Sequence, residues 1–221
     1  MGRGGEHERH RRDAEETKRR LLETARRLFG ERGYAQVTIR DIVREARVNL
    51  AAVSYHFRDK LGLYMDVVKA ALEVARAFNE ETMRAPPGSS AEERLRCYIR
   101  AYLPLVVRAD QKGWFHQLMR HEMAAPTPAL DWMVQEAIMP RIEYLAQIVT
   151  ELLGPAATEA RVRRCVTSIQ AECLFYAPHP FKIAAFGDWL PRTDEAIRET
   201  ADHIVAFTLA GIRAIAEEAG R

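Results

Sequence analysis

Residues 38–60 constrain the fold and the function more than any other part of the sequence. They read as two short helices joined by a tight turn, TIRDIVREARVNLAAVSYHFRDK. The second helix begins with the small run Leu50-Ala51-Ala52, and Val53 and Phe57, four residues apart, would hold it against the preceding helices. A thin leading end of this kind enters a groove about 12 Å wide, the width of the DNA major groove. The segment therefore predicts a helix that reads DNA.

Polar side chains would cover the outer surface of this second helix and the starts of its neighbours. Ser54, Tyr55 and His56 are able to hydrogen-bond phosphates, and Lys60 lies where the next helix begins. Thr38 places a hydroxyl and free backbone N–H groups at another helix start. Free N–H groups and a cation at a helix N-terminus favour a phosphate there. The pattern predicts contacts with the DNA backbone, although Tyr55 and His56 could instead cap the core of an ordinary three-helix bundle.

The same segment resembles the TetR family of transcriptional repressors over about residues 15–75. The matching positions are Gly33-Tyr34, Thr38 to Ile42, Ala46, Val48, and above all Tyr55-His56-Phe57 followed by Lys60 and Leu63. The resemblance implies a homodimeric, all-α protein that binds DNA. It also implies that some residues contact phosphates, namely Thr38, Tyr55, His56 and Lys60, and that others face the bases, namely Asn49, Leu50, Ala51, Ala52 and Ser54.

Direct reading of bases from this helix would be limited. Alanine side chains touch only a thymine methyl group, and Asn49 is the one amide that could pair with adenine or, alternatively, cap the helix. Sequence preference could therefore depend on DNA shape and on Arg40 or Arg44 near the groove edge.

The turn between the two helices departs from the family pattern at one position. Arg47 stands where the family usually has glycine. If the turn requires a positive φ, arginine costs about 1 kcal/mol there. Arg47 could instead extend the preceding helix by one residue or reach a phosphate.

Helical periodicity without strand alternation runs through the rest of the chain and predicts an all-α fold of about nine helices. Residues 1–13 read as a disordered basic tail, and residues 14–60 as the helix-turn-helix domain, followed by the start of a linking helix over 61–84. The stretch APPGSS at residues 85–90 marks a boundary. Residues 85–221 would form a second helical domain, which the resemblance assigns to effector binding and dimerisation.

Two capping signals mark helix starts. Asp13 with Glu16 resembles a capping pair, and Ser90 with Glu93 forms a capping box. An apolar loop containing Phe181, Phe186, Trp189 and Leu190 precedes the last helix. Helices beyond residue 90 are expected at about 91–109, 112–124, 128–153, 157–177 and 193–218.

Large apolar side chains are frequent in the second domain. The segments 120–128 and 138–140 look like the CecR subgroup of the family. The TetR resemblance implies that this C-terminal part senses a small molecule. Taken singly, each of these residues is better explained as ordinary core, whereas the whole set favours a pocket for an apolar or aromatic effector. The lining residues are Trp114, Phe115, Met119, His121, Trp132, Met133, Tyr144, Phe175 and Tyr176.

Neither a metal site nor a cofactor site is expected. His116 and His121 are five residues apart, which turns them about 140° from each other around a helix. Cys165 and Cys173 are eight residues apart on one predicted helix, and buried inert thiols are favoured over a redox switch. Three widely spaced cysteines fit a reducing cytoplasm rather than a disulfide framework.

The last predicted helix combines a run of apolar positions with several small residues that permit close helix approach. The resemblance implies that this helix and the 157–177 helix pair with their copies in a four-helix dimer interface. An intramolecular face is the alternative.

Charge and motif content narrow the remaining possibilities. Residues 1–60 carry 15 Lys and Arg against 10 Asp and Glu, a net +5, whereas the remainder carries 18 against 21, a net −3. The basic first quarter suits a polyanion. No apolar run is long enough for a membrane span, and the charged N-terminus is unlike a secretory signal, so a cytoplasmic protein is expected. No catalytic motif is present, so an enzyme is not expected.

The sequence thus predicts a ligand-responsive transcriptional regulator. It would repress by binding a palindromic double-stranded DNA operator as a homodimer, and a small-molecule effector would release it. The alternative is a dimeric, small-molecule-binding helical protein that does not bind an operator.

Overall fold

The computed structural model describes the backbone of residues 3–108 and 114–219. The side chains of residues 3–7, 9, 114, 115 and 180 lie outside this description. Within it the chain contains helices and turns and no strand, which confirms the all-α prediction. None of the helices so described is long and apolar enough to cross a lipid bilayer.

Four helices make up the first part of the chain: α1 (Arg3–Gln36), α2 (Ile39–Ala46), α3 (Ala51–Phe57) and α4 (Lys60–Thr82). The later helices are α5 (Ala91–Val107), α6 (Trp114–Ala124), α7 (Ala129–Met133), α8 (Met139–Leu153), α9 (Glu159–Phe175), α10 (Pro180–Phe186) and α11 (Asp194–Ala219). A π-helical turn, Val134–Ile138, joins α7 to α8.

The helices group into two compact units. The first contains α1 to α3, α4 as far as Ala75, and α6 with α7; the second contains the rest of α4 and the remaining helices. The first unit therefore includes α6 and α7, which the sequence had placed in the second domain. The long sequence separation of these contacts explains why local patterns do not reveal them.

Each unit has an apolar interior built from helix stripes. In the first, α1 buries Leu21, Ala25 and Leu28, positions three to four residues apart that share one helix face. In the second, α5, α8, α9 and α11 bury one face each. The apolar stripe of the last helix is buried as a set: Ile197, Ala201, Ile204, Val205, Thr208, Leu209 and Ile212.

Of the two capping pairs predicted at Asp13 and Ser90, only the pair at Ser90 marks a helix start. Ser90 and Glu93 form the predicted box, in which the Glu93 backbone N–H donates to Ser90 Oγ and the Ser90 N–H donates to the Glu93 carboxylate. Asp13 does not begin a helix. It lies inside α1, and its carbonyl oxygen accepts a hydrogen bond from Thr17.

The predicted disordered tail is also wrong over residues 3–13, which form the first turns of α1. Glutamate and arginine have high helix propensity, and no proline interrupts this stretch. The segment 180–186 was expected as a loop and forms α10. Pro180 stands at its first position, where its missing N–H costs no helical hydrogen bond, and His179 caps it.

Candidate nucleic-acid interface

The start of α2 is fixed by a capping box. Thr38 Oγ1 accepts from the Asp41 backbone N–H at 3.1 Å, and the Thr38 N–H donates to Asp41 Oδ2 at 3.1 Å. The Thr38 hydroxyl also donates to Asp41 Oδ2 at 2.6 Å. These hydrogen bonds lower the pKa of the Asp41 carboxyl group. Thr38 is thus the predicted cap, and it is exposed at the surface of the first unit.

The turn after α2 places Arg47 in the left-handed region of φ and ψ. Arg47 has φ 54° and ψ 49°. The Val48 N–H donates back to the Val43 carbonyl oxygen at 3.0 Å, the arrangement of a Schellman helix end. Arg20 adds a cation at this helix terminus by donating to the Ala46 carbonyl. Arg47 therefore does not extend α2.

Replacing Arg47 with glycine is expected to raise the free energy of unfolding by about 1 kcal/mol, because glycine adopts a positive φ without a Cβ clash. Urea denaturation measures the change. Lys69→Gly, at an exposed position in the middle of α4, is the matched control and should lose about as much. If Arg47→Gly destabilises the chain as the control does, the left-handed residue carries no strain.

One side of helix α3 is buried in the first unit, and the opposite side is exposed. Val53 and Phe57 are buried, as their spacing predicts. Tyr55 is 79% exposed, and its ring packs edge-on against the half-buried His56 at 4.8 Å. Ser54 is exposed as well. The polar side of α3 therefore lies at the surface, where a DNA groove could receive it.

The leading end of α3 is small and exposed. Leu50 and Ala51 are exposed and Ala52 is half-buried, as is required of a tip that enters a groove. Asn49 Oδ1 accepts a hydrogen bond from the Ala51 N–H at 3.0 Å. The Asn49 oxygen therefore satisfies one free N–H group at the start of α3, and a contact of Asn49 with adenine stays a prediction. Arg40 lies exposed on the first turn of α2.

The junction between α3 and α4 is unusually tight. Arg58 has φ 72° and ψ −57°, and the Asp59 N–H donates to the Phe57 carbonyl oxygen at 2.9 Å, which is a γ-turn. Asp59 Oδ1 then accepts from the Gly62 N–H at 2.8 Å and caps α4. A Cβ atom on Gly62 would overlap the Phe57 carbonyl oxygen. Only glycine fits at this crossing.

Lys60 begins α4 beside this junction. Its ammonium nitrogen lies 4.1 Å from the centroid of the Tyr34 ring. Partial burial lowers the pKa of the Lys60 ammonium group. The ring limits the positions that the flexible lysine side chain adopts, so a positive charge is held at the N-terminus of α4, a location that favours an anion.

Two residues of α6 hold the first unit together, a role that sequence reasoning missed. His121 Nε2 donates to the Gly30 carbonyl oxygen of α1 at 3.1 Å. Glu122 is 1% exposed and accepts hydrogen bonds from the Tyr64 hydroxyl and from the Thr127 N–H. Burial and the Glu122 carboxylate raise the pKa of the Tyr64 hydroxyl. The short segment His121 to Thr127 offered no local signal of partners 58 to 91 residues away.

The residues predicted to line an effector pocket are divided between the two units. Of those in the first, Met133 is buried, whereas Met119, His121 and Trp132 are half-buried. In the second, the ring centroids of Phe175 and Tyr176 are 5.5 Å apart, and those of Tyr144 and Tyr98 are 6.4 Å apart. The side chains of Trp114 and Phe115 lie outside the described residues. Their shared role in ligand binding stays a prediction.

The cysteines are free thiols. Cys165 and Cys173 are buried in the second unit, and burial raises the pKa of the Cys173 thiol to about 12. A thiol with so high a pKa forms little thiolate near neutral pH, so Cys173 is a poor nucleophile.

The capped α2, the left-handed turn and the outward-facing α3 define a helix-turn-helix regulator that binds DNA. Residues 21–67 match the family described as bacterial regulatory proteins, tetR family, and residues 91–212 match the C-terminal domain of the HTH-type transcriptional dual regulator CecR. The chain belongs to the TetR family of transcriptional regulators, as the resemblance in residues 15–75 implied. Members of this family bind DNA operators and small-molecule effectors, usually as dimers.

Individual relatives agree with this assignment. The chain is 26% identical over 157 residues to CecR of Shigella flexneri, which covers 67% of this chain and 70% of that protein. Its fold is similar to that of a TetR-like transcriptional regulator from Rhodococcus sp. RHA1, with a TM-score of 0.58, 18% identity and coverage of 88% and 96% of the two chains. It is also similar to SmeT in a complex with triclosan, with a TM-score of 0.56, 17% identity and coverage of 88% and 90%.

Proposed function

We propose that the chain is a repressor that binds a palindromic operator as a homodimer and leaves it when a small-molecule effector binds. The exposure of Tyr55 on an α3 fixed by Val53 and Phe57 carries this proposal. In a two-fold dimer, two such helices would lie about 34 Å apart and enter successive major grooves on one side of the duplex.

Four residues would hold the DNA backbone and five would lie against the bases. Tyr55, His56, Thr38 and Lys60 surround α3 or begin the helices beside it, so they would contact phosphates. Arg40 would lie at the groove edge. The leading end of α3 would face the bases through Asn49, Leu50, Ala51, Ala52 and Ser54. Because the Asn49 oxygen already accepts a hydrogen bond from the Ala51 N–H, base recognition would depend largely on DNA shape.

The second unit supports the homodimer. Leu174 and Phe175 on α9 are 48% and 40% exposed, and Phe207 on α11 is 63% exposed. Ala206 and Ala210, which flank Phe207 on α11, are small and also exposed. An apolar surface on two neighbouring helices, with small residues that allow close approach, suits pairing with a second copy.

Effector binding would act through α4. This helix carries Lys60 in its first turn and Phe78 in its last turns, and the proposal is that an effector changes its position. The effector must bind more tightly to the conformation that cannot bind DNA than to the conformation that can. Otherwise the populations of the two conformations do not change. The predicted lining residues, from Trp114 to Tyr176, remain candidates for this contact.

Lys60→Ala is expected to weaken binding to every duplex about tenfold and to reduce the slope of log affinity against log salt by about 1, because one phosphate charge is no longer neutralised. Tyr55→Phe should weaken binding and leave the slope unchanged, because the hydroxyl carries no charge. Fluorescence anisotropy with the duplex upstream of the chain's own gene, and with an unrelated duplex, measures both quantities.

Arg198→Ala, an exposed position on α11, is the matched control and should leave affinity and slope unchanged. Wild-type affinity in both the Lys60 and the Tyr55 variants would show that the contact assignment is wrong. An absence of DNA binding by the wild-type chain would favour a dimeric ligand-binding protein without an operator.

A further inference from the structure

The second unit contains a buried acceptor without a hydrogen-bond partner, beside a helical irregularity. The π-helical turn Val134–Ile138 interrupts the path from α7 to α8, and turns of this type are frequent at functional sites. Asn79 of α4 donates from Nδ2 to the Ala137 carbonyl oxygen at 3.1 Å. Asn79 is 3% exposed, and its Oδ1 has no hydrogen-bond partner. A buried acceptor without a partner is costly, so it marks a place where a ligand could supply a donor.

Arg141 of α8 lies against the residue that precedes Asn79 in α4. Its guanidinium carbon lies 4.7 Å from the centroid of the Tyr102 ring and 5.2 Å from that of Phe78, the residue before Asn79. The buried Nε has no hydrogen-bond partner. No carboxylate in the described part of the chain forms an ion pair with Arg141, and Glu136 of the π-helical turn pairs instead with Arg76 at 2.7 Å.

Further polar groups surround this guanidinium. Tyr98 and Tyr102 are buried, and Gln170 of α9 donates to the Tyr98 hydroxyl at 2.7 Å. Burial raises the pKa of the Tyr102 hydroxyl, whereas the positive charge of Arg141 acts against that rise. Arg141 therefore exerts its charge on the interior of the second unit rather than on bulk water alone.

Stacking on two rings could be the whole role of Arg141. Cation–π contacts engage the face of a guanidinium, however, and leave the N–H groups at its edge without acceptors. A charge that is partly removed from water is normally paired with an opposite charge. Arg141 has its ring contacts and lacks that pairing.

We propose that Arg141 binds the carboxylate of an effector whose apolar or aromatic part lies against Phe78 and Tyr102. A carboxylate accepts two parallel hydrogen bonds from the edge of a guanidinium, which is the geometry that Arg141 leaves open. Asn79 adds an acceptor for a hydroxyl or amine on the same ligand. The inference rests on the proposed effector response and narrows the ligand class from apolar compounds to organic acids.

Isothermal titration calorimetry without DNA tests this assignment on the full chain. The probes are carboxylates of increasing size, acetate, hexanoate, decanoate and benzoate, each with its neutral amide of the same shape. At least one carboxylate is expected to bind tenfold or more tightly than its amide. Arg141→Gln should abolish that preference, and Arg141→Lys should restore part of it because the charge returns without the planar edge.

Arg198→Gln, an exposed position on α11, is the control and should keep the wild-type preference. Circular dichroism and thermal unfolding establish that Arg141→Gln is folded. The assignment is overturned if no carboxylate binds better than its amide, or if Arg141→Gln keeps the preference. Binding of operator DNA by ligand-free Arg141→Gln should equal that of the wild type, so a failure of DNA binding in the wild type itself would concern the repressor proposal and not this site.

Discussion

Gly62→Ala is expected to abolish tight operator binding and to lower the free energy of unfolding by about 1–3 kcal/mol, the usual cost of overpacking. The added methyl group would overlap the carbonyl oxygen of Phe57. A backbone oxygen cannot rotate away as a side chain does, so the end of α3 must move from the start of α4. Because Phe57 fixes α3 and Lys60 begins α4, the groups proposed to hold DNA would lose their mutual spacing.

Two measurements separate the effects of Gly62→Ala on stability and on DNA. Urea denaturation gives the free energy of unfolding, and fluorescence anisotropy below the unfolding transition gives operator affinity. Gly30→Ala is the matched control, since a Cβ atom there lies 3.1 Å from the flexible end of Gln117 and no backbone atom blocks it. Wild-type affinity in a folded Gly62→Ala chain would show that the junction does not set the position of α3.

Glu122→Ala is expected to lower the free energy of unfolding by about 3 kcal/mol, because it leaves buried groups without partners. The Tyr64 hydroxyl and the Thr127 N–H both donate to this carboxylate, the latter at 2.9 Å, and the Thr127 hydroxyl donates to it as well. Tyr64→Phe removes one donor and leaves the other two in place, so its loss should be smaller. Urea denaturation at constant pH measures each variant.

Glu122→Gln and Arg120→Ala bracket this result. Glutamine keeps the shape of the side chain but turns a donor toward the donors of Thr127 or Tyr64, so an intermediate loss is expected. Arg120 is exposed on the same helix, and its replacement should change the free energy of unfolding by less than about 0.5 kcal/mol. If Glu122→Ala is as stable as Arg120→Ala, the buried cluster does not stabilise the unit.

Features that depend on a few neighbouring residues were predictable from the sequence. Thr38 caps α2 and Ser90 caps α5 because each hydroxyl reaches a backbone N–H three residues ahead. The buried pair Val53 and Phe57 followed from a spacing of four. The left-handed backbone at Arg47 could also be anticipated, because the residue stands where the family usually has glycine.

Features that depend on distant contacts were not predictable. The sequence does not reveal that His121 bonds to α1 or that Glu122 bonds to α4, and the predicted effector contact of His121 stays a prediction. The sequence does not reveal that Arg141 lacks an ion-pair partner among the described residues, because it contains almost equal numbers of basic and acidic residues. The helix over residues 3–13 was missed because its composition, charged and poor in apolar residues, is equally typical of a solvated tail.

The capping box of α2 limits how strongly Thr38 can attract DNA. An ionised Asp41 has no proton to give. The Thr38 hydroxyl therefore donates its single hydrogen to Asp41 Oδ2, 2.6 Å from Thr38 Oγ1. A phosphate arriving here would compete with an internal anion for the same proton, and its net gain would be only the difference between two similar bonds. If Thr38 contacts DNA as proposed, the Asp41 carboxylate would compete with the phosphate for the hydroxyl hydrogen and would weaken that contact.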